Sequence, residues 1–266
     1  MTLVEKHVSL DEVEFLPLDT PRAIVARSLE WPENFERAPH YHDRCQLVYC
    51  SEGVMNVTAP AGTWVVPPQR AVWMPANIPH TIMAKTNLSF RSIYIDPSAA
   101  PWLPTECCVV GVSTLLRSLI LEAVEIPLNY QLGGREERIM NLILDEISGI
   151  TAIAGDLHLP EPKDPRLRPI VEAIKKNPAD RRDRDEWANI VGASSRTIHR
   201  IFLAETGMTF GQWKRQAILM ESIRKLADGE SVINIALDMG YESPSAFTAM
   251  FRRTLGITPG KYFKKS

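Results

Sequence analysis

Three histidines in the first third of the chain have the residue type and spacing for metal chemistry. His40 and His42 are two residues apart, so on a strand both side chains point to the same face. His80 follows Pro79 further along. Imidazole nitrogens aimed into one cavity can ligate a divalent cation. Gln46, four residues after His42, would be a neutral and weaker donor than a carboxylate. The same histidines could instead be pocket or structural groups holding no ion. A second set lies in the back half. Arg196, His199 and Arg200 are three and four apart, which puts them on one helical face opposite Ile198, Ile201 and Phe202. Arginine can bridge the two acceptors of guanine, and arginine or lysine can pair with phosphate. No Gly-rich phosphate loop, serine-nucleophile motif or Cys-x-x-Cys pair suggests another chemistry.

These side chains need two different kinds of scaffold. From Ala23 to Asp96 short β-type runs alternate with turn residues. The runs are Ala23–Trp31, Cys45–Cys50, Val54–Ala59, Thr63–Val66, Ala71–Met74, Thr81–Ala84 and Phe90–Ile95. Many short strands at close spacing predict a small antiparallel barrel or sandwich. The period then changes to that of helices over Val112–Ile126 and Arg135–Ile150. Residues 155–168 are rich in proline and read as a linker. Everything after Pro169 has helical periodicity. The expected division is a sensor region over 1–154, the linker, and a helical domain over 169–266.

The chain has 266 residues, 45% apolar and 23% charged, the balance of a soluble globular protein of about two domains. No stretch reads as a membrane-spanning helix. The start, MTLVEKHVSLDEVEF, carries acidic residues where a signal peptide needs an apolar core, so a cytoplasmic location is expected. Four cysteines, Cys45, Cys50, Cys107 and Cys108, fit a reducing compartment. The net charge of −2 hides an asymmetry: residues 1–165 hold 12 basic and 21 acidic side chains, and residues 166–266 hold 18 and 11. A basic back half suits nucleic acid or another anionic partner.

The back half also repeats itself. Ala188 aligns with Ala236 at an offset of 48, and Ile198, Phe202, Gly207 and Thr209 align with Phe247, Phe251, Gly256 and Thr258 at 49. Each copy reads helix, tight turn, helix, Gly: Asp185–Val191 then Ser195–Glu205, and Val232–Met239 then Pro244–Leu255. This is the pattern of a helix-turn-helix, whose second helix can enter a major groove. Between the copies, Phe210–Ala227 would form a rod about 27 Å long. Such a rod could set two reading helices near one duplex turn apart. Trp187, Trp213, Leu226, Ile235, Met239, Phe247, Phe251 and Leu255 are the expected core.

The stretch from Asp183 to Phe263, with its tail IALDMGYESPSAFTAMFRRTLGITPGKYF, resembles the DNA-binding domain of the AraC/XylS family of bacterial transcription regulators. By that resemblance Arg196, His199 and Arg200 take base-facing positions in the first unit, and Ser243, Ser245, Thr248 and Ala249 take those of the second. Many family members have arginine where Ala249 stands. Ser194, Ser195 and Thr197 complete the DNA-facing set, and Arg252 and Arg253 are placed to hold phosphate. The segment PHYHDRCQLVYCSEGVMNVTAPAGTWVVPPQRAVWMPANIPH resembles a cupin barrel, the ligand-binding domain common in that family. Its candidate lining is His40, His42, Gln46, Trp73 and His80.

Together these readings imply an α+β chain of two domains: an N-terminal antiparallel, cupin-like β-barrel with two following helices, then an all-α double helix-turn-helix. The implied function is sequence-specific binding of double-stranded promoter DNA, modulated by a small molecule in the barrel. The resemblance favours a homodimer and admits RNA polymerase as a further partner. No cofactor is expected except the divalent metal that His40, His42 and His80 could hold. The alternatives are a metal-dependent cupin enzyme with an appended DNA domain, and a sequence-indifferent DNA-packaging protein. Gln46 in place of a carboxylate weighs against the first, and the repeated base-facing positions weigh against the second.

Overall fold

The computed structural model describes residues 14–15, 18–148 and 157–263. The chain divides into two compact units, Met1–Asp156 and Leu157–Ser266.

The first unit holds two facing sheets. Its strands are β1 (Glu14–Phe15), β2 (Ile24–Trp31), β3 (Glu36–Tyr41), β4 (Cys45–Glu52) and β5 (Met55–Ala59), followed by β6 (Gly62–Val66), β7 (Arg70–Met74), β8 (His80–Ala84), β9 (Leu88–Ile95) and β10 (Cys108–Gly111). One sheet runs β1-β3-β8-β5-β6 and the other β10-β7-β4-β9-β2. The pairings are antiparallel except the short contact of β1 with β3, which is parallel.

Side-chain alternation splits the second sheet between two cores. Val48, Cys50, Val72, Met74 and Phe90 point between the sheets and meet Met55, Val57, Trp64, Val66 and Ile82 of the other. Leu47, Tyr49, Ala71, Trp73, Ile93 and Ile95 point the other way. They are covered by Leu116, Leu119 and Ile120 of helix α1 (Thr114–Ala123), and by Met140, Ile143 and Ile147 of α2 (Arg135–Ser148). Arg117 of α1 donates to the Tyr49 hydroxyl at 2.7 Å and to the Ser51 carbonyl at 3.1 Å, tying the helix to β4. These helices match the expected segments, with shorter ends; residues 149 and 150 lie outside the described residues.

The second unit contains a short strand β11 (His158–Pro160) and helices α3 (Arg168–Lys176), α4 (Arg184–Ile190), α5 (Ser195–Thr206), α6 (Phe210–Ala227), α7 (Val232–Asp238), α8 (Pro244–Leu255) and α9 (Pro259–Tyr262). The internal repeat is structural. Ser194 and Ser243 cap α5 and α8, accepting from the backbone N–H of Thr197 and Ala246. Both helices end at a glycine in the left-handed region, Gly207 at φ 68° and Gly256 at φ 75°, which an L side chain adopts only with strain. The change of offset from 48 to 49 falls in the turns, which run from Gly192 to Ser194 and from Gly240 to Ser243. Ile198 and Phe202 and their counterparts Phe247 and Phe251 are all buried.

Two expectations need correction. Residues 155–168 are not simply a linker. Residues 155 and 156 lie outside the described residues, but Leu157, Leu159 and Leu167 are buried and His158–Pro160 is a strand. The Pro160 carbonyl accepts from Trp213 Nε1 at 2.9 Å, and Glu205 accepts from the backbone N–H of Lys163 and Asp164. Proline excludes helix here but permits extended chain. Of the expected helical core, Leu226 and Leu255 are only half-buried; the other six are buried.

Candidate functional site

The sensor pocket lies where β3 and β8 meet the far end of β4. His40 and His80 are opposite one another in the β3–β8 register. His42 lies one residue past the end of β3, so the pair is not on one strand as spacing suggested, yet both rings enter the same pocket. The three side chains are nearly inaccessible, at 4%, 3% and 2% exposure for His40, His42 and His80. One ring nitrogen from each lies within 4.8 Å of the others.

Backbone carbonyls orient all three rings. The Nδ1–H groups donate to the carbonyls of Ala38 at 2.9 Å, Arg44 at 2.7 Å and Ile78 at 2.9 Å. A carbonyl can only accept, so each ring carries its proton on Nδ1 and offers a lone pair at Nε2. His80 Nε2 is buried without a hydrogen-bond partner. His42 Nε2 is 2.8 Å from Gln46 Oε1. The Gln46 amide nitrogen donates to the hydroxyls of Ser92 at 2.7 Å and Tyr94 at 3.1 Å. Burial lowers the pKa of His40 and His42, and burial with the nearby charge of His40 takes His80 down to about 3. The imidazoles are therefore neutral, the form that binds metal. The donor set fits a divalent transition metal, and it contains no carboxylate.

Trp73 does not line this pocket. The register pairs it with Leu47, on the helix-facing side, and its Nε1 donates to the Pro104 carbonyl at 2.7 Å. Its neighbour Met74, opposite Gln46, takes the inward position. Ser92 is a pocket residue that spacing did not single out, and Tyr94, expected only as core or wall, bonds Gln46 there. The signal available was the pairing of Gln46 with Tyr94 across β4 and β9, which depends on register.

The candidate DNA-facing residues lie on α5 and α8. Arg196 and Arg200 are exposed one turn apart, with His199 half-buried beside them. None of these three side chains makes a hydrogen bond or ion pair among the described residues. By contrast, Arg166, Arg168, Arg182 and Arg224 are taken up by Asp164, Glu172, Asp180 and Glu221. Ser194 caps its helix, its hydroxyl also bonding Thr197 at 2.9 Å, and Ser195 donates to Asp185. These residues build the turn and bring backbone N–H groups to the helix N-terminus, where a phosphate can sit. In the second copy Ser245 and Ala249 are exposed and Thr248 half-buried, at the positions of Arg196, Arg200 and His199. Arg252 and Arg253 are exposed in the last turn of α8.

Residues 27–120 match the AraC-like ligand binding domain family, and residues 187–265 match a helix-turn-helix domain family. The chain is 33% identical over 226 residues to the HTH-type transcriptional regulator NimR of Escherichia coli, an alignment covering 85% of this chain and 82% of that protein. It is 34% identical over 104 residues to the HTH-type transcriptional regulator RipA of Corynebacterium glutamicum, covering 39% of this chain and 31% of RipA. Among solved structures, ToxT of Vibrio cholerae aligns over 91% of this chain and 98% of its own, with 12% identity and a TM-score of 0.38.

Proposed function

Because the chain belongs to the AraC family of helix-turn-helix transcriptional regulators, we propose that it works in the cytoplasm as a homodimer on promoter DNA, under control of a small molecule in its sensor barrel, without being an enzyme. The observation that carries this reading is that Arg196 and Arg200 are exposed and make no hydrogen bond or ion pair among the described residues, Arg200 keeping only a longer-range attraction to Asp164. Two guanidinium groups one turn apart on a capped helix are free for base edges and phosphates. The second helix-turn-helix contributes Ser245, Thr248 and Ala249 with Arg252 and Arg253, a set richer in phosphate contacts than in base contacts.

The effector acts by binding one arrangement of the regulator better than another, since a ligand with equal affinity for both shifts nothing. Exposed Leu115 on α1 and Leu142 on α2 support a dimer seam on that helical layer. RNA polymerase, which works at the same promoters, is a further partner of this reading. No helix among the described residues is long and apolar enough to cross a membrane.

The test is a binding titration against a duplex taken from mapped chromosomal sites and against a shuffled duplex, repeated over a salt series. A specific regulator keeps an affinity gap between the two as salt rises. Equal affinities at every salt concentration would overturn the reading. Sedimentation over a range of protein concentration reads the dimer separately.

A further inference from the structure

We propose that the segment from Pro162 to Leu167, which leads into the helical unit, is part of the DNA interface, and that Asp164 holds Arg166 there as a phosphate contact beside Arg200.

The segment is fixed to the reading helix. The Glu205 carboxylate, five residues beyond Arg200 on α5, accepts from the backbone N–H of Lys163 at 2.7 Å and of Asp164 at 3.0 Å. Pro162 and Leu167 are buried on either side, and Glu161 pairs with Lys175 of α3. Five residues span about 7.5 Å along a helix axis. The Asp164 backbone is thus anchored at Glu205 while its carboxylate feels Arg200. Hydrogen bonds from Arg166 hold that carboxyl down to about 2, and the charge of Arg200 adds to the pull. A helix with its side chains is about 10–12 Å across and fills a major groove about 12 Å wide. A group fixed along the flank of such a helix meets the phosphate wall of the groove, not the base edges.

Arg166 has donors to spare for that wall. Its Nε and Nη2 donate to the two Asp164 oxygens at 2.9 Å and 2.6 Å, which fixes one edge of the planar guanidinium. Nη1 makes no hydrogen bond among the described residues, and the side chain is 48% exposed although it is paired. A guanidinium has five donors in a rigid fork, so a second oxyanion can take the edge that the first leaves. The same fork recurs at Asp180 and Arg182, but there the guanidinium lies over the Trp187 ring at 3.8 Å. The charges around Arg166 favour an anion. Asp164 and Glu205 stand among Lys163, Arg166 and Arg200, and Glu205 is spent on backbone N–H groups. The segment lies ahead of residues 187–265, which match the helix-turn-helix family.

Full-length wild type is compared with protein carrying Asp164→Asn together with Arg166→Gln, a change that leaves net charge unaltered. Each is titrated with the shuffled duplex and with the duplex from mapped sites, from about 50 to 200 mM salt. The double variant should lower the slope of log affinity against log salt by about 1 on both duplexes. The advantage of wild type should then shrink about threefold to fourfold across that range. Arg166→Lys should keep the slope, because the charge stays, and lose affinity severalfold, because the fork is gone. An unchanged slope in the double variant overturns the proposal even where affinity falls, since a segment that only braces α5 adds no phosphate contact. Full affinity with Arg166→Lys overturns the positioning role of Asp164. Should the double variant fail to fold, phenylglyoxal labelling of wild type, read by peptide mass, decides the matter. The shuffled duplex should protect Arg166 and leave exposed Arg135 of the sensor unit reactive; an unprotected Arg166 overturns the proposal. The inference rests on the regulator reading only for the presence of DNA. The gap between duplexes tests that reading and the slope on the shuffled duplex tests this one, so either can fail alone.

Discussion

His40 and His80 are cross-strand partners whose rings stand 4.3 Å apart, each held by a carbonyl two residues before it. Because the cluster could hold a metal, the effect of removing His80 is compared with and without one. Without metal, His80→Leu loses one hydrogen bond, about 1 kcal/mol, and also removes a buried orphaned nitrogen of similar or greater cost. The variant should then lie within about 1 kcal/mol of wild type. If the cluster takes up metal, wild type at about 100 times the dissociation constant gains about 2.7 kcal/mol and the variant gains little. Urea melts with and without chelator check the difference. A large destabilisation that is the same in both conditions would show that His80 is only a packing residue.

Trp73 gives a contrasting case. It is 1% exposed and belongs to the core between sheet and helices, not to the pocket. Trp73→Ala should cost about 3–5 kcal/mol of stability. The milder Trp73→Phe should lower the melting temperature and leave metal uptake unchanged, as read by melting curves and a metal count.

Much of the fold was readable because its periods are clean. Phe210–Ala227 and Pro244–Leu255 form helices at their expected boundaries, and the expected β runs all appear. β3 was missed because ERAPHY carries charge and proline and presents only His40 to the interior. The stretch around Leu157 was masked by the prolines that follow it, although Leu157 and Leu159 alternate as a buried strand requires. The histidines were visible from spacing alone. Gln46's bonds to Ser92 and Tyr94 were not, because they depend on strand register, which a one-residue slip would reverse. Trp73 was misassigned for the same reason.

Cys107 should behave as an inert thiol near neutral pH. Burial and its neighbour Cys108 push its pKa up to about 11, and its Sγ contacts Met74 Sδ at 3.3 Å. Relative to an ordinary thiol, about 100-fold less thiolate is present, and the thiolate is the nucleophile. Alkylation by iodoacetamide, followed by peptide mass, should be slow at pH 7.5 and accelerate as pH rises toward 11. Rapid modification at pH 7.5 would count against this.

The repeat predicts an unequal division of base reading. Arg196 and Arg200 correspond by the 49-residue offset to Ser245 and Ala249, and all four positions are exposed. Only the first pair can make bidentate contacts to guanine, each worth about 1–3 kcal/mol of discrimination. Arg196→Ala should therefore weaken binding to the cognate duplex by that amount and narrow the gap to a shuffled one. Ser245→Ala should change both affinities by less. Arg253→Ala should instead weaken cognate and shuffled duplexes alike and lower the slope of log affinity against log salt by about 1, the mark of a lost phosphate contact. Titrations of the three variants at several salt concentrations separate these outcomes. Equal losses on both duplexes for Arg196→Ala would move sequence reading away from α5.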